Sequence, residues 1–240
     1  MKKITISIFA LSIFVLYACQ KEVADGTPGT GGSMARFTIR DNYLYAVDYE
    51  LLHTFDISQP TGIDYRQGSY AGFAIETIFP TDDYLFLGAQ TGMYIYELSD
   101  PAMPDFLSFT PHFMSYDPVV VQDDYAYVTL RNNPTTPAPN MLMIFDVSEP
   151  QAPQLLKEYD MISPKGLGID GNQLFICDDV LKVYQVTNGV DIALIQSFDI
   201  QAIDVIPTEG RLYVVAEDGL YQYTYDGSEI SFLSKLTIPE

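Results

Sequence analysis

Two aromatic anchors recur five times in register along this chain, and that repeat limits the fold more than any other feature. The first anchor follows a turn pair: Asp41-Asn42, Asp82-Asp83, Asp123-Asp124, Gly171-Asn172 and Glu209-Gly210. Four residues after the first member of each pair stands Tyr45, Phe86, Tyr127, Phe175 or Tyr213, at spacings of 41, 41, 48 and 38 residues. The second anchor opens the stretches Phe55-Asp56-Ile57-Ser58-Gln59-Pro60, Tyr96-Glu97-Leu98-Ser99-Asp100-Pro101 and Phe145-Asp146-Val147-Ser148-Glu149-Pro150. Degenerate copies start at Tyr184 and Tyr223. From the first anchor to the second residue of each stretch the distance is 11, 11, 19, 10 and 11, so the third unit carries an insertion within Arg131 to Asn140. A repeat of this period marks an architecture of stacked, similar units.

Each unit holds four short β-runs between turn residues, and nothing after the first 33 residues has helical periodicity. In the third unit the runs are Val119 to Val121, Tyr125 to Leu130, Met141 to Asp146 and Gln154 to Tyr159. The inner runs, such as Leu142-Met143-Ile144-Phe145, are apolar on both faces, as a sheet covered on both sides requires. Four strands in about 40 residues make one blade of a β-propeller. The expected fold is therefore all-β: a closed propeller of five four-stranded blades, at about 37–72, 73–113, 114–161, 162–200 and 201–240. Closure between the last blade and the first would rest on side-chain packing, without an interlocked strand.

The stretches FDISQP, YELSDP and FDVSEP, each after an aromatic strand, resemble the LVIVD repeat of bacterial and archaeal surface proteins. The resemblance is strong in the first three units and weak in the last two. It implies a propeller and no catalytic residue. The motif reads as structural, with Asp and Ser capping a turn and Pro starting the outer strand.

The first residues read as an export segment. Lys2 and Lys3 precede the apolar or small run Ile4 to Ala18. As a helix those residues extend roughly 22 Å, short of the ~30 Å hydrocarbon core of a bilayer. Residues 1–18 are thus expected to be a signal peptide. Leu16-Tyr17-Ala18-Cys19 resembles a lipobox, which implies lipidation of Cys19 and attachment to the outer membrane, facing the periplasm or the cell surface. Residues 19–33 then form the lipidated cysteine and a Gly/Thr-rich tether, and residues 34–240 the propeller.

The chain is strongly acidic, with 12 Lys plus Arg against 32 Asp plus Glu and a net charge of −20. Removing residues 1–18 would leave ten basic residues and −22. Nothing here neutralises phosphates, which excludes nucleic acid as a partner. Cys177 is the one cysteine besides Cys19, so no disulfide is available to the folded part once Cys19 is lipidated.

Gly166-Leu167-Gly168-Ile169-Asp170-Gly171 matches the GxGxxG spacing. A strand follows it, however, where a dinucleotide needs a helix N-terminus. His53 lies in a strand, and two histidines are too few for a protein zinc site. The candidate site comes from topology. Loops between the second and third strands share one propeller face with the loops between blades. The first set supplies Asp48, Glu50, Asp178, Asp179, Glu217 and Asp218; the second supplies His112, Tyr116, Asp117 and Lys165. The expectation is an acidic rim that takes a cation or cationic partner, with calcium bound weakly and no other cofactor. The three-proline insertion, residues 132–140, is either a tolerated surface insertion or a protruding binding edge. These features point to a non-enzymatic binding or scaffold module with a protein or glycan partner. The alternative is a glycoside hydrolase or other carbohydrate-active protein, using two of Glu76, Asp117 and Asp204 as paired carboxylates near the axis.

Overall fold

Why each unit becomes a four-stranded meander is visible at its turns. The computed structural model describes residues 31–112, 118–132, 139–227 and 229–238. The export segment, Cys19, Tyr116, Asp117 and residues 133–138 of the insertion lie outside the described residues. Asp41, Asp123, Gly171 and Glu209, each the first member of a turn pair, adopt left-handed φ of 48–56°. Asp and Gly tolerate that region, and it turns the first strand tightly into the second.

Among the described residues the chain forms twenty strands and no helix. Sheet one holds β1 (Phe37–Arg40), β2 (Tyr43–Val47), β3 (Leu51–Asp56) and β4 (Asp64–Tyr70). Sheet two holds β5 (Ile75–Pro80), β6 (Tyr84–Ala89), β7 (Gly92–Glu97) and β8 (Asp105–Pro111). Sheet three holds β9 (Val119–Gln122), β10 (Tyr125–Leu130), β11 (Met141–Asp146) and β12 (Gln154–Asp160). Sheet four holds β13 (Leu167–Asp170), β14 (Gln173–Cys177), β15 (Leu181–Thr187) and β16 (Asp191–Phe198). Sheet five holds β17 (Ala202–Thr208), β18 (Arg211–Ala216), β19 (Gly219–Asp226) and β20 (Glu229–Thr237). Every sheet is antiparallel with its strands in chain order, and the first strands neighbour one another: β1 with β5, β5 with β9, β9 with β13, β13 with β17. The arrangement is propeller-like.

Both anchors have a structural task. At the second, the register between third and fourth strands shifts in all five sheets, at Phe55, Tyr96, Phe145, Tyr184 and Tyr223. A bulge there bends the strand and adds twist to the outer edge. The following Asp caps the turn: Asp56 accepts from the Ser58 N–H, and Asp146 from both the N–H and the hydroxyl of Ser148. The proline differs from expectation. Pro101 and Pro150 lie in the turn, before β8 and β12 begin at Asp105 and Gln154. Their carbonyls tie neighbouring sheets together, Pro101 accepting from the Tyr45 hydroxyl (2.7 Å) and Pro150 from the Ser108 hydroxyl (2.6 Å). Gly189, at the same motif position in sheet four, accepts from the Tyr127 hydroxyl at 2.8 Å.

The first anchor faces the next sheet, and the residue before it faces the previous one. Tyr45 packs with Leu85, Phe86 with Ala126, Tyr127 with Leu174 and Phe175 with Leu212, each pair within its own apolar cluster. These four clusters join sheets one to two, two to three, three to four and four to five. No such cluster joins sheet five to sheet one among the described residues. Tyr213 and Leu44, the two residues that would meet there, are only half-buried, and Val215 is exposed. Sheets one and five thus bury one face each, which is why the second strand is buried throughout in sheet four but alternates in sheet five. The ends of the arc are linked instead at its axis. Asp204 of β17 accepts from the Ser33 hydroxyl (2.9 Å) and the Met34 N–H (3.2 Å), just ahead of β1.

Candidate functional site

The loops at the start of the inner strands and the end of the second strands share one face, where a cavity of about 250 Å³ opens on the axis. Its lining comes from four successive sheets and their connections: Met34 and Arg36, Glu76 and Thr77, Pro118 and Arg131, Pro164 and Lys165. Among the described residues, three cations and one carboxylate thus line it, in a chain whose net charge is −20.

Each charged residue is positioned by backbone geometry. Arg36 directly precedes β1, and its carbonyl accepts from Val47 N–H, extending the β1–β2 ladder. Glu76 is the extra residue of a bulge where β5 slips register against β6 between Ile75 and Thr77. Its carboxylate accepts from the Gln90 amide at 2.8 Å. Burial pushes the Glu76 carboxyl up, and Gln90, Arg36 and Arg131 only partly oppose that. Lys165 is pinned through its main chain: its carbonyl accepts from the Thr129 hydroxyl and its N–H donates to Cys177 O, both at 2.6 Å. Its ammonium stands 3.9 Å from Glu217.

Among the described residues the expected acidic rim does not gather into a cluster, because most of its acids are engaged locally. Asp178 is buried and accepts from the Ile162 and Ser163 N–H groups and from Lys182 at 2.7 Å. It fastens one loop to the next. Asp179 pairs with the same lysine at 2.7 Å. Burial alone would lower Lys182, but the two carboxylates outweigh it and raise its pKa. Asp48 accepts from His53 and from the N–H groups of Glu50 and Leu51, which hold its carboxyl at about 2. Asp218 is taken by Lys235 and the Tyr221 hydroxyl. Glu50 is exposed, and His112 follows β8 with its N–H on Thr91 O. Among the described residues no three His, Cys, Asp or Glu side chains come together as a metal-holding group.

Paired catalytic carboxylates are not assembled either among the described residues. Glu76 lines the axial cavity, but Asp204 is half-buried, accepts from Ser33 and Met34 and is not part of the lining. A Cβ on Gly32 or Gly166 would collide with that carboxylate. Burial raises the Asp204 carboxyl to about 6. The glycine pattern at 166–171 is accounted for in the same way. Gly166 lies against Asp204, Gly168 against Pro207, and Gly171 makes the left-handed turn. Cys177 is fully buried, and burial pushes its thiol well up, which makes it a packing residue.

A larger groove of about 590 Å³ lies on the opposite face, between sheets one, two and three. Its carboxylates, Asp82, Asp83, Asp123 and Asp124, are turn residues that recur with the repeat, and Asp82 pairs with Arg40 at 3.3 Å. They come with the fold rather than with a ligand. Gly31 lines this groove, whereas Met34, three residues on, lines the axial cavity. Arg36 and Arg131 escaped the sequence reading because neither occupies a repeated position; only their place at strand ends on one face connects them.

Comparison with known proteins agrees with the architecture. The LVIVD repeat matches residues 116–161, the span that contains sheet three. No curated protein sequence matches the chain. The periplasmic gluconolactonase PpgL of Pseudomonas aeruginosa superposes with a TM-score of 0.65 at 14% identity, over 82% of this chain and 68% of that one. The computationally designed Ika8 protein gives 0.61 at 12%, over 83% and 60%. BamB from Moraxella catarrhalis gives 0.57 at 11%, over 77% and 56%. The chain thus spans 56–68% of the length of these three structures. At such identities the likeness is one of fold alone.

Proposed function

We propose that this chain, whose third unit is an LVIVD repeat, is a lipid-anchored, non-enzymatic binding module of the outer membrane built as a five-bladed propeller. The axial cavity carries the reading. Four successive sheets and their connections contribute to one small concave mouth, and its described lining includes three cations in a chain of net charge −20. Concave sites with a few convergent polar groups are where ligands bind. The likeness to BamB fits a protein-interaction module, and that to a gluconolactonase fits an enzyme equally well. Engagement of Asp204 by Ser33 and Met34, outside the lining that holds Glu76, favours the first.

Two measurements test this. Cys19→Ala should release the protein from membranes after a high-salt wash; retention in the membrane fraction refutes the anchor. A photo-reactive residue at Met34, beside the mouth, should form a discrete adduct in intact cells that one at Leu156, on the exposed outer edge, does not. Identical adducts at both positions, or none at Met34, refute binding at the mouth.

A further inference from the structure

We propose that Tyr49 and Phe73 form a docking corner for an arginine side chain of a protein partner, with the Glu50 carboxylate as its counter-charge. This rests on the binding-module reading, adds a contact on the face where the axial cavity opens, and names the partner's chemistry.

The connection between sheets one and two is built to display one ring. Ala71 and Ala74 are buried, while Phe73 between them is 48% exposed. The backbone that holds it there is unusual, with φ of 137° at Gly72 and 54° at Ala74. The other non-glycine residues with positive φ, Asp41, Asp123, Asn188 and Glu209, are exposed turn residues. Among the described residues Ala74 alone takes this conformation inside the fold. Such strain persists only where surrounding contacts enforce it, and it gathers at binding sites. Here the contacts are explicit. Ala71 N–H donates to Glu50 O (2.8 Å), Ile75 N–H to Tyr49 O (3.1 Å) and Gln90 N–H to Ala74 O (3.1 Å). Gly72 lies on the Tyr94 ring, where a Cβ would collide. The connection is thus fastened to the turn that carries Tyr49 and Glu50.

Two large rings are thereby fixed outward. Tyr49 is 51% exposed and meets Phe73 edge to face, at 5.0 Å and 77°. Rings at right angles leave an open corner of aromatic face. Elsewhere the chain places its own lysines over tyrosines, Lys157 over Tyr159 and Lys235 over Tyr221. No described cation stands over Tyr49 or Phe73. Aromatic faces attract cations, and a planar guanidinium stacks on them while its N–H fork reaches a carboxylate. Glu50 is exposed and directly follows Tyr49, which supplies that carboxylate. The net charge of −20 steers cationic partners toward the molecule, and the corner selects among them. A neutral sugar would use the rings but not the charge.

Fluorescence anisotropy tests this on the full-length protein in neutral detergent at constant ionic strength. The probes are labelled Gly-Xaa-Gly-Gly-Xaa-Gly peptides in which Xaa is arginine, lysine or the neutral isostere citrulline. The arginine peptide should bind, the lysine peptide about threefold more weakly and the citrulline peptide about tenfold more weakly or not at all. Tyr49→Leu, Phe73→Leu and Glu50→Gln should each weaken the arginine peptide about threefold. The two leucine variants keep the net charge, so the long-range field is unchanged in them. Phe73→Tyr should retain binding, and Phe232→Leu, at a residue 57% exposed on β20, should change nothing. Equal binding of the arginine and citrulline peptides overturns the proposal, as do leucine variants that bind like wild type or a Phe232→Leu loss matching that of Phe73→Leu. Maltohexaose binding that Phe73→Leu abolishes, with no preference for arginine over citrulline, would replace the arginine by a sugar. Failure here with a mouth-specific adduct still formed at Met34 leaves the binding-module reading standing and removes only this contact.

Discussion

Asp204 shows how one side chain can join distant parts of this chain while working against stability at neutral pH. It holds Ser33 and Met34 against the inner strand of sheet five, but burial raises its carboxyl to about 6. The folded state therefore holds this proton more tightly than the unfolded chain, whose carboxyl titrates near 4. Stability linked to Asp204 rises as pH falls through 6 and is complete below the unfolded value. Asp48 and Asp56, held at about 2 by hydrogen bonds, act in the opposite sense, and only when the pH falls below about 4. Between pH 7.5 and 5 the Asp204 contribution is about 1.4 kcal/mol. Denaturation of wild type and Asp204→Asn across that window should show the wild type gaining this stability and the variant lacking the gain. Parallel curves would mean that Asp204 is not buried as a carboxylate.

At the scale of the strand, the first anchor explains how one sheet grips the next. Tyr45 and Tyr127 each place an aromatic ring in the following apolar cluster and a hydroxyl on that sheet's turn carbonyl. In sheets two and four the anchor is Phe, and the bond to the turn comes from elsewhere: Ser108 reaches Pro150 O, and Gln173 reaches Gly227 O. Tyr127→Phe should thus cost about 1 kcal/mol by leaving the Gly189 carbonyl without its partner. Tyr213→Phe, whose ring is half-buried on the open side of sheet five, should cost less than about half of that. Urea titration of both variants measures the difference. Equal losses would place Tyr213 against a turn carbonyl of sheet one.

At the scale of the whole molecule, the described residues form five sheets with four packed junctions and an axial link. Repeat arrays gain stability from each neighbour interface, and terminal units have one fewer. Leu44 and Leu85 occupy the same repeat position, yet Leu85 is fully buried against sheet one and Leu44 half-buried with no cluster behind it. Leu85→Ala should cost ~2–5 kcal/mol, the usual range for a buried leucine, and Leu44→Ala less than half as much. If the two cost the same, sheets one and five are packed together in solution as tightly as the internal neighbours.

Much of the architecture was readable from the chain, because each sheet is made of residues close in sequence and the same anchors recur in each. The turn pairs, the aromatic positions and the LVIVD-like stretches are local features, and local hydrogen-bonded hairpins carry them directly into five meanders. The site was not readable in this way. Arg36, Glu76, Arg131 and Lys165 share no period, and only the stacking of sheets around an axis brings them to one cavity. The acids that dominate the composition suggested an acidic mouth, yet short-range partners, such as Lys182 for Asp178 and Asp179, claim them first. Composition counts charges, but the tertiary structure decides which of them remain to face a ligand.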